Sequence, residues 1–231
     1  MISHKHKFIF VHIPKCGGTS IELALLKNEG IELTDDNIEL LTNKQKQEYS
    51  IGYAFQDTMA QHRKISQYEV FNNKYFTFTF SRNPWARILS EYTYIKKNNG
   101  CRCNKSMMQY WPPELDFWSP ELDFNDKFPT FNDFVKNDGI KCGWRGHNSL
   151  QIDYVLNSNK NKGIDFIGKL ENIQEDFNSI CDKIGIPKQT LPQINATNHR
   201  HYTEYYDDET RKIVAEKYAK DIEYFGYEFG E

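Results

Sequence analysis

The hydrophobic positions of this chain fall into a few short, regularly spaced groups separated by polar stretches. Phe8-Ile9-Phe10-Val11-His12-Ile13 is a continuous apolar run, and Tyr75-Phe76-Thr77-Phe78-Thr79-Phe80-Ser81 alternates with a period of two. Both predict strands, as does the shorter stretch from Ile164 to Gly168. Between the first two, Ile21, Leu25 and Leu26 recur at helical spacing and predict a helix that begins near Thr19. Pro84 suits the first turn of another helix directly after the aromatic strand. Near the end, Asp207 or Asp208 caps a final helix whose Ile213, Val214, Tyr218, Ile222 and Phe225 share one face. Strands separated by helical patterns predict an α/β fold with a P-loop-like, mostly parallel sheet and helices on both faces.

The polar residues at the ends of these runs carry the candidate chemistry. Lys15-Cys16-Gly17-Gly18-Thr19-Ser20 joins the first strand to the first helix. Two consecutive glycines let the backbone turn tightly and approach a ligand. The amides of Gly18, Thr19 and Ser20 then point from a helix N-terminus toward an anion, with Lys15 and two hydroxyls beside them. A nucleotide-triphosphate loop of the form G-x-x-x-x-G-K-[ST] places its lysine after the last glycine, whereas Lys15 precedes both. In the second motif, Arg82-Asn83-Pro84-Trp85-Ala86-Arg87-Ile88-Leu89-Ser90, Arg82 lies at a strand end and Ser90 about two turns into the helix. Both motifs are then expected at the carboxyl ends of strands, where open α/β sheets bind ligands.

This ordered pair of motifs resembles the sulfotransferases that use 3′-phosphoadenosine-5′-phosphosulfate (PAPS), and looks closest to the branch of glycan O-sulfotransferases. Gln151 to Val155, Ile164 to Phe177 and Tyr218 to Phe229 are also similar to that branch. The resemblance implies that Lys15, Gly17, Gly18, Thr19 and Ser20 hold the 5′-phosphosulfate end of PAPS, with Lys15 near the bridging oxygen. Arg82 and Ser90 match the positions that hold the 3′-phosphate, and a polar late loop, Asn195 to Tyr202, brings Arg200 to the same group. His62, a little before the aromatic strand, matches the general base, and its imidazole suits proton abstraction at neutral pH. His12 is its rival and reads as a wall residue of the first strand. Arg87 fits either phosphate binding or a salt bridge on the helix face, and Gln151 is a weaker candidate for an acceptor contact. The implied reaction moves a sulfuryl group to an acceptor hydroxyl, on a carbohydrate, without a metal. Two other classes stay open: a P-loop kinase or NTPase, for which no convincing Mg²⁺-binding carboxylate stands at a strand end, and a non-catalytic nucleotide-binding protein of the same fold.

Composition narrows the partners. The 231 residues suffice for one substantial core, and no Pro/Gly/Ser-rich linker divides them, so one domain over 1–231 is expected. A formal net charge of −3 offers no general attraction to nucleic acid or to anionic membranes. No apolar run approaches the roughly 20 residues that span a bilayer, and Met1 to Lys7 passes into the first strand without a signal-peptide core, which leads to the expectation of a soluble, cytoplasmic protein. Five cysteines, an odd number, fit reduced thiols better than a disulfide framework, and Cys101-Arg102-Cys103 has the wrong spacing for zinc. Cys16 reads as a small loop residue that a helix N-terminus would make open to alkylation.

Residues 98–130 interrupt the pattern with aromatic residues and a local duplication, Pro113-Glu114-Leu115-Asp116-Phe117-Trp118-Ser119 followed by Pro120-Glu121-Leu122-Asp123-Phe124. They are expected to form an insert or a lid over the acceptor site. Glu114, Asp116, Glu121, Asp123 and Asp126 would repel a polyanion, so such a lid favours a neutral or weakly charged acceptor lying against Trp111, Phe117 or Trp118.

Overall fold

The computed structural model describes residues 1–30, 62–71, 74–97, 124–137, 139–142, 147–159, 161, 163–194 and 200–231. Their order is β1 (Ile2–Ser3), β2 (Phe8–Val11), α1 (Gly18–Asn28), β3 (Phe76–Ser81), α2 (Pro84–Lys97), α3 (Phe124–Lys127), α4 (Phe131–Lys136), α5 (Ile152–Val155), β4 (Phe166–Lys169), α6 (Ile173–Ile184), α7 (Asp208–Lys217) and α8 (Ala219–Phe225), with a 3-10 turn at Ile65–Phe71. Contacts group them into two compact units that interleave in sequence. One contains Met1–Arg82 with Ser149–Ala196, the other Asn83–Asn148 with Thr197–Glu231.

The first unit contains the sheet, in the order β1-β2-β3-β4. β2, β3 and β4 are parallel, with Phe8 opposite Phe76, Val11 opposite Thr79 and Ser81 opposite Lys169, while the two-residue β1 runs antiparallel on the far side of β2. The expected mostly parallel α/β sheet is therefore present. Every residue of β2 is buried, as an apolar run covered on both faces requires. β3 alternates Phe with Thr, a pattern that would ordinarily mark one wet face, yet Thr77 and Thr79 are buried too. Their hydroxyls are absorbed locally: Thr79 donates to the Val11 carbonyl at 2.6 Å, and Thr77 donates to Asp165 at 2.8 Å. α1 contributes Ile21, Ala24, Leu25 and Leu26 to this core, and α6 contributes Phe177, Ile180 and Cys181. Gly168 lets its neighbours close on β4, since a Cβ there would lie 2.6 Å from the Phe80 ring of β3 and 3.1 Å from Asp176 of α6.

The second unit is helical and aromatic. Tyr92 of α2 packs with Phe124, Phe131 and Phe134, and Trp85, Tyr202 and Tyr206 surround Phe229. α2 begins at Pro84, as expected. The expected single final helix is instead two, α7 and α8, meeting at Tyr218. Asp207 caps the first through a capping box with Thr210. Phe124 and Phe128, at the end of the expected insert, are buried among Tyr92 and Phe134 and belong to the core of this unit. Residues 98–123, and with them most of the duplicated acidic segment, lie outside the described residues. Among the described residues no helix is long and apolar enough to cross a membrane.

Candidate active site

β2 and β3 are parallel neighbours, so the chain leaves Val11 and Ser81 at the same edge of the sheet. From Val11 it turns through Lys15 and Gly17, both in the left-handed region at φ +67° and +77°, before α1 begins at Gly18. Gly17 accommodates this at no steric cost, but a lysine held there costs on the order of 1 to 3 kcal/mol. Neighbouring groups pin the turn. The Arg82 guanidinium donates from Nη1 to the Lys15 carbonyl at 3.2 Å, joining the two anion motifs, which are 67 residues apart in sequence. A Cβ on Gly17 would meet Leu170 and Ile173 at 2.8 Å, so the segment after β4 presses directly on the loop.

Gln151 locks the other side. Its side-chain amide pairs with the Arg82 peptide in both directions, Oε1 accepting from the amide nitrogen and Nε2 donating to the carbonyl, each at 2.9 Å. It thereby adds one rung beyond the end of β3. The same Oε1 accepts from the Cys16 thiol at 3.3 Å. Gln151 is fully buried, so its amide serves the scaffold and not an acceptor. Cys16 is buried as well, which removes the alkylation expected of a loop thiol and leaves the small-residue reading.

The first turn of α1 suits an anion. No side chain caps it among the described residues, and it contains no acidic residue, so its amides keep their partial positive charge. Lys15, Gly17 and Thr19 are partly exposed at this end, while Ser20 is buried. These are the residues a phosphate cradle requires, and the fit rests on their backbone geometry as well as on their identity.

Beneath the loop lies a group the motif reading only partly anticipated. His12 is buried with its ring against Gly18, so close that a Cβ there would fall 2.1 Å from Cδ2 and Nε2. Its Nδ1 is 3.2 Å from the carboxylate of Glu22, itself buried. His62 stands edge-on to the same ring with centroids 4.7 Å apart, and its Nδ1 meets the His12 carbonyl at 3.1 Å. A carbonyl only accepts, so Nδ1 of His62 carries the proton and Nε2 of the neutral ring is the atom that can take one. Burial pushes the phenol of Tyr68 up to about 12, with Arg63 opposing the shift and Glu22 adding to it.

Glu22 escaped the motif reading, although the sequence carried a signal. Gly18, Ile21, Glu22, Leu25 and Leu26 form the buried stripe of α1, and a carboxylate within such a stripe is the informative exception.

The remaining candidates belong to the second unit. Ser90 is partly exposed on α2, and its carbonyl accepts from the Thr93 hydroxyl. Arg200 is 71% exposed, pairs with Glu204 at 3.1 Å and covers the Tyr205 ring. Arg87 is buried and donates to the His147 carbonyl at 2.6 Å. His199 lies outside the described residues, and His201 meets the Thr203 hydroxyl at 2.7 Å. No group of three or more His, Cys, Asp or Glu able to hold a metal ion occurs among the described residues.

Comparison with known proteins bears on this arrangement. Residues 1–228 match a family model described as Sulfotransferase family, so the match runs through both units. Over 142 residues the chain is 28% identical to an uncharacterized protein of Archaeoglobus fulgidus, covering 61% of this chain and 86% of that one. No solved structure matches.

Proposed function

Since the chain belongs to the sulfotransferase family, we propose that it transfers a sulfuryl group from PAPS to an acceptor hydroxyl on a carbohydrate, acting over 1–231 as one sulfotransferase domain. The observation that carries this reading is the bond from Arg82 to the Lys15 carbonyl, which fixes both anion motifs at one edge of the sheet. PAPS supplies an activated sulfuryl group on a phosphate leaving group. The amides of Gly18, Thr19 and Ser20, with the Thr19 and Ser20 hydroxyls, bind its 5′-phosphate, and the turn at Gly17 allows the close approach. Lys15 stabilises the negative charge that develops on the bridging oxygen as the sulfur–oxygen bond breaks. His62 accepts the acceptor's hydroxyl proton on Nε2 while the new oxygen–sulfur bond forms. Arg82 binds the 3′-phosphate as a fork of donors. For Ser90 and Arg200 the support is the sequence motif and the late-loop likeness alone. The carbohydrate rests on the likeness to the glycan branch.

Adenosine 3′,5′-bisphosphate separates this reading from its rivals. It should bind much more tightly than AMP, and Arg82→Ala should remove roughly 1.5 to 3 kcal/mol of that preference. Equal affinities in the wild-type protein, measured by calorimetry, would remove the 3′-phosphate assignment. Transfer of labelled sulfate from PAPS to a panel of carbohydrate hydroxyls, undiminished by EDTA, tests the reaction itself. EDTA-sensitive phosphate transfer from ATP would replace it with a kinase.

A further inference from the structure

The pair formed by Glu22 and His12 has no part in holding phosphate or taking a proton, yet it sits between the groups that do. A carboxylate in the apolar stripe of α1 weakens the core unless a partner offsets its desolvation. Its oxygen lies 3.2 Å from His12 Nδ1, a charge contact out of line for a full hydrogen bond. The opposite edge of the same ring presses on Gly18, and Phe10 stacks against it at 5.8 Å. His12 is thus wedged between Phe10 of β2 and the start of α1. Its carbonyl and its ring face both meet His62, the first at Nδ1 and the second edge-on.

We propose that Glu22 is a positioning residue for the base. Its carboxylate fixes the His12 ring, and the fixed ring and carbonyl of His12 hold His62 with Nε2 as the proton-accepting nitrogen. The role rests on the reading of His62 as the base of sulfuryl transfer.

Two variants test it. Glu22→Leu keeps the apolar volume of the stripe and removes a buried charge, a replacement that cores tolerate. Glu22→Gln keeps the shape and an accepting oxygen. Glu22→Leu should lower kcat roughly tenfold or more, the share of a base's contribution that its orientation supplies, and leave the affinity for adenosine 3′,5′-bisphosphate within about twofold. Glu22→Gln should recover most of kcat. Wild-type kcat in Glu22→Leu, or equal losses of kcat and nucleotide affinity in both variants, would overturn the role. Nitrogen-15 spectra of the imidazoles need no substrate. They should show neutral His62 protonated on Nδ1 in the wild type and in Glu22→Gln, and a mixture of tautomers in Glu22→Leu. A wild-type His62 protonated on Nε2 overturns the arrangement whatever the reaction. The expected spectra together with no sulfuryl transfer by the wild type would instead overturn the reaction and uphold the coupling of Glu22, His12 and His62.

Discussion

Each unit of this protein sets a histidine against a buried glutamate, and the two pairs differ in what surrounds them. In the helical unit, Nδ1 of His147 meets both oxygens of Glu91, at 3.2 and 3.1 Å, and Arg87 donates to the His147 carbonyl. Arg87 and Glu91 are one turn apart on α2, so a single helix face grips one residue from two sides. In the sheet unit, His12 and Glu22 touch at 3.2 Å without that alignment, and His12 spends its carbonyl on His62 and its ring edge on the glycine that starts α1. Composition is the same and both glutamates are buried, but His12 is buried while His147 is partly exposed. The first is a closed network that ties a segment down, while the second abuts a turn held in strained conformation, where functional groups concentrate. A buried ionisable pair therefore announces a site only through its remaining contacts.

The largest effect should come from breaking the closed network. Arg87→Ala leaves buried polar groups without their donor and should cost about 3 to 5 kcal/mol of stability in urea unfolding. A loss under about 1 kcal/mol, the level of a surface ion pair, would mean that the cluster holds nothing in place and that the contrast between the pairs is empty. Next comes Lys15→Ala, which on the proposed role of Lys15 should leave unfolding nearly unchanged but lower kcat about a hundredfold, because its charge would then meet the one developing on the leaving oxygen. A folded variant with normal kcat and a raised KM would reduce Lys15 to ground-state binding.

Gly18→Ala probes the same side of the comparison more gently. The new methyl falls within 2.1 Å of the His12 ring, which must move, with an overpacking cost of about 1 to 3 kcal/mol. Activity should fall along with stability, since the displaced ring is the wall of His62. A variant that unfolds more easily yet turns over normally would separate His12 from the base.

Much of this was legible in the residues. β2, β3 and the start of α2 follow directly from an apolar run, a period-two run and a proline, and the tight turn before α1 follows from its glycines. The chemistry of the site was less so, because it depends on register. Nothing in the order of residues sets Gln151 against the Arg82 peptide, or brings His62 against a residue 50 positions earlier. Those contacts arise once β2 and β3 pair in parallel. The split at Tyr218 was hidden for a different reason. The apolar positions keep helical spacing across it, while a buried tyrosine whose hydroxyl donates to the Asn148 carbonyl anchors the junction of α7 and α8. Burial pushes that phenol above its ordinary range, consistent with a hydroxyl kept neutral and donating.

The smallest expected effect lies at the surface of the helical unit, where an exposed ionic group provides the measure for both buried ones. The carboxyl of Asp207 is held down at about 2, first by Lys136 at 2.8 Å and then by the Thr210 amide it caps. Its folded value lies below the unfolded carboxylate value near 4, so its contribution is fully present above about pH 4 and is lost as pH falls from there through about 2. Asp207→Ala removes the N-cap of α7 and should cost about 1 kcal/mol at neutral pH, with kcat unaltered. The difference in stability between the two proteins, followed by urea unfolding, should shrink steadily across that acid window. A difference that persists at pH 2 would assign the effect to packing rather than charge. A change in kcat would tie the surface of the helical unit to the reaction and would blur the contrast between scaffold and site.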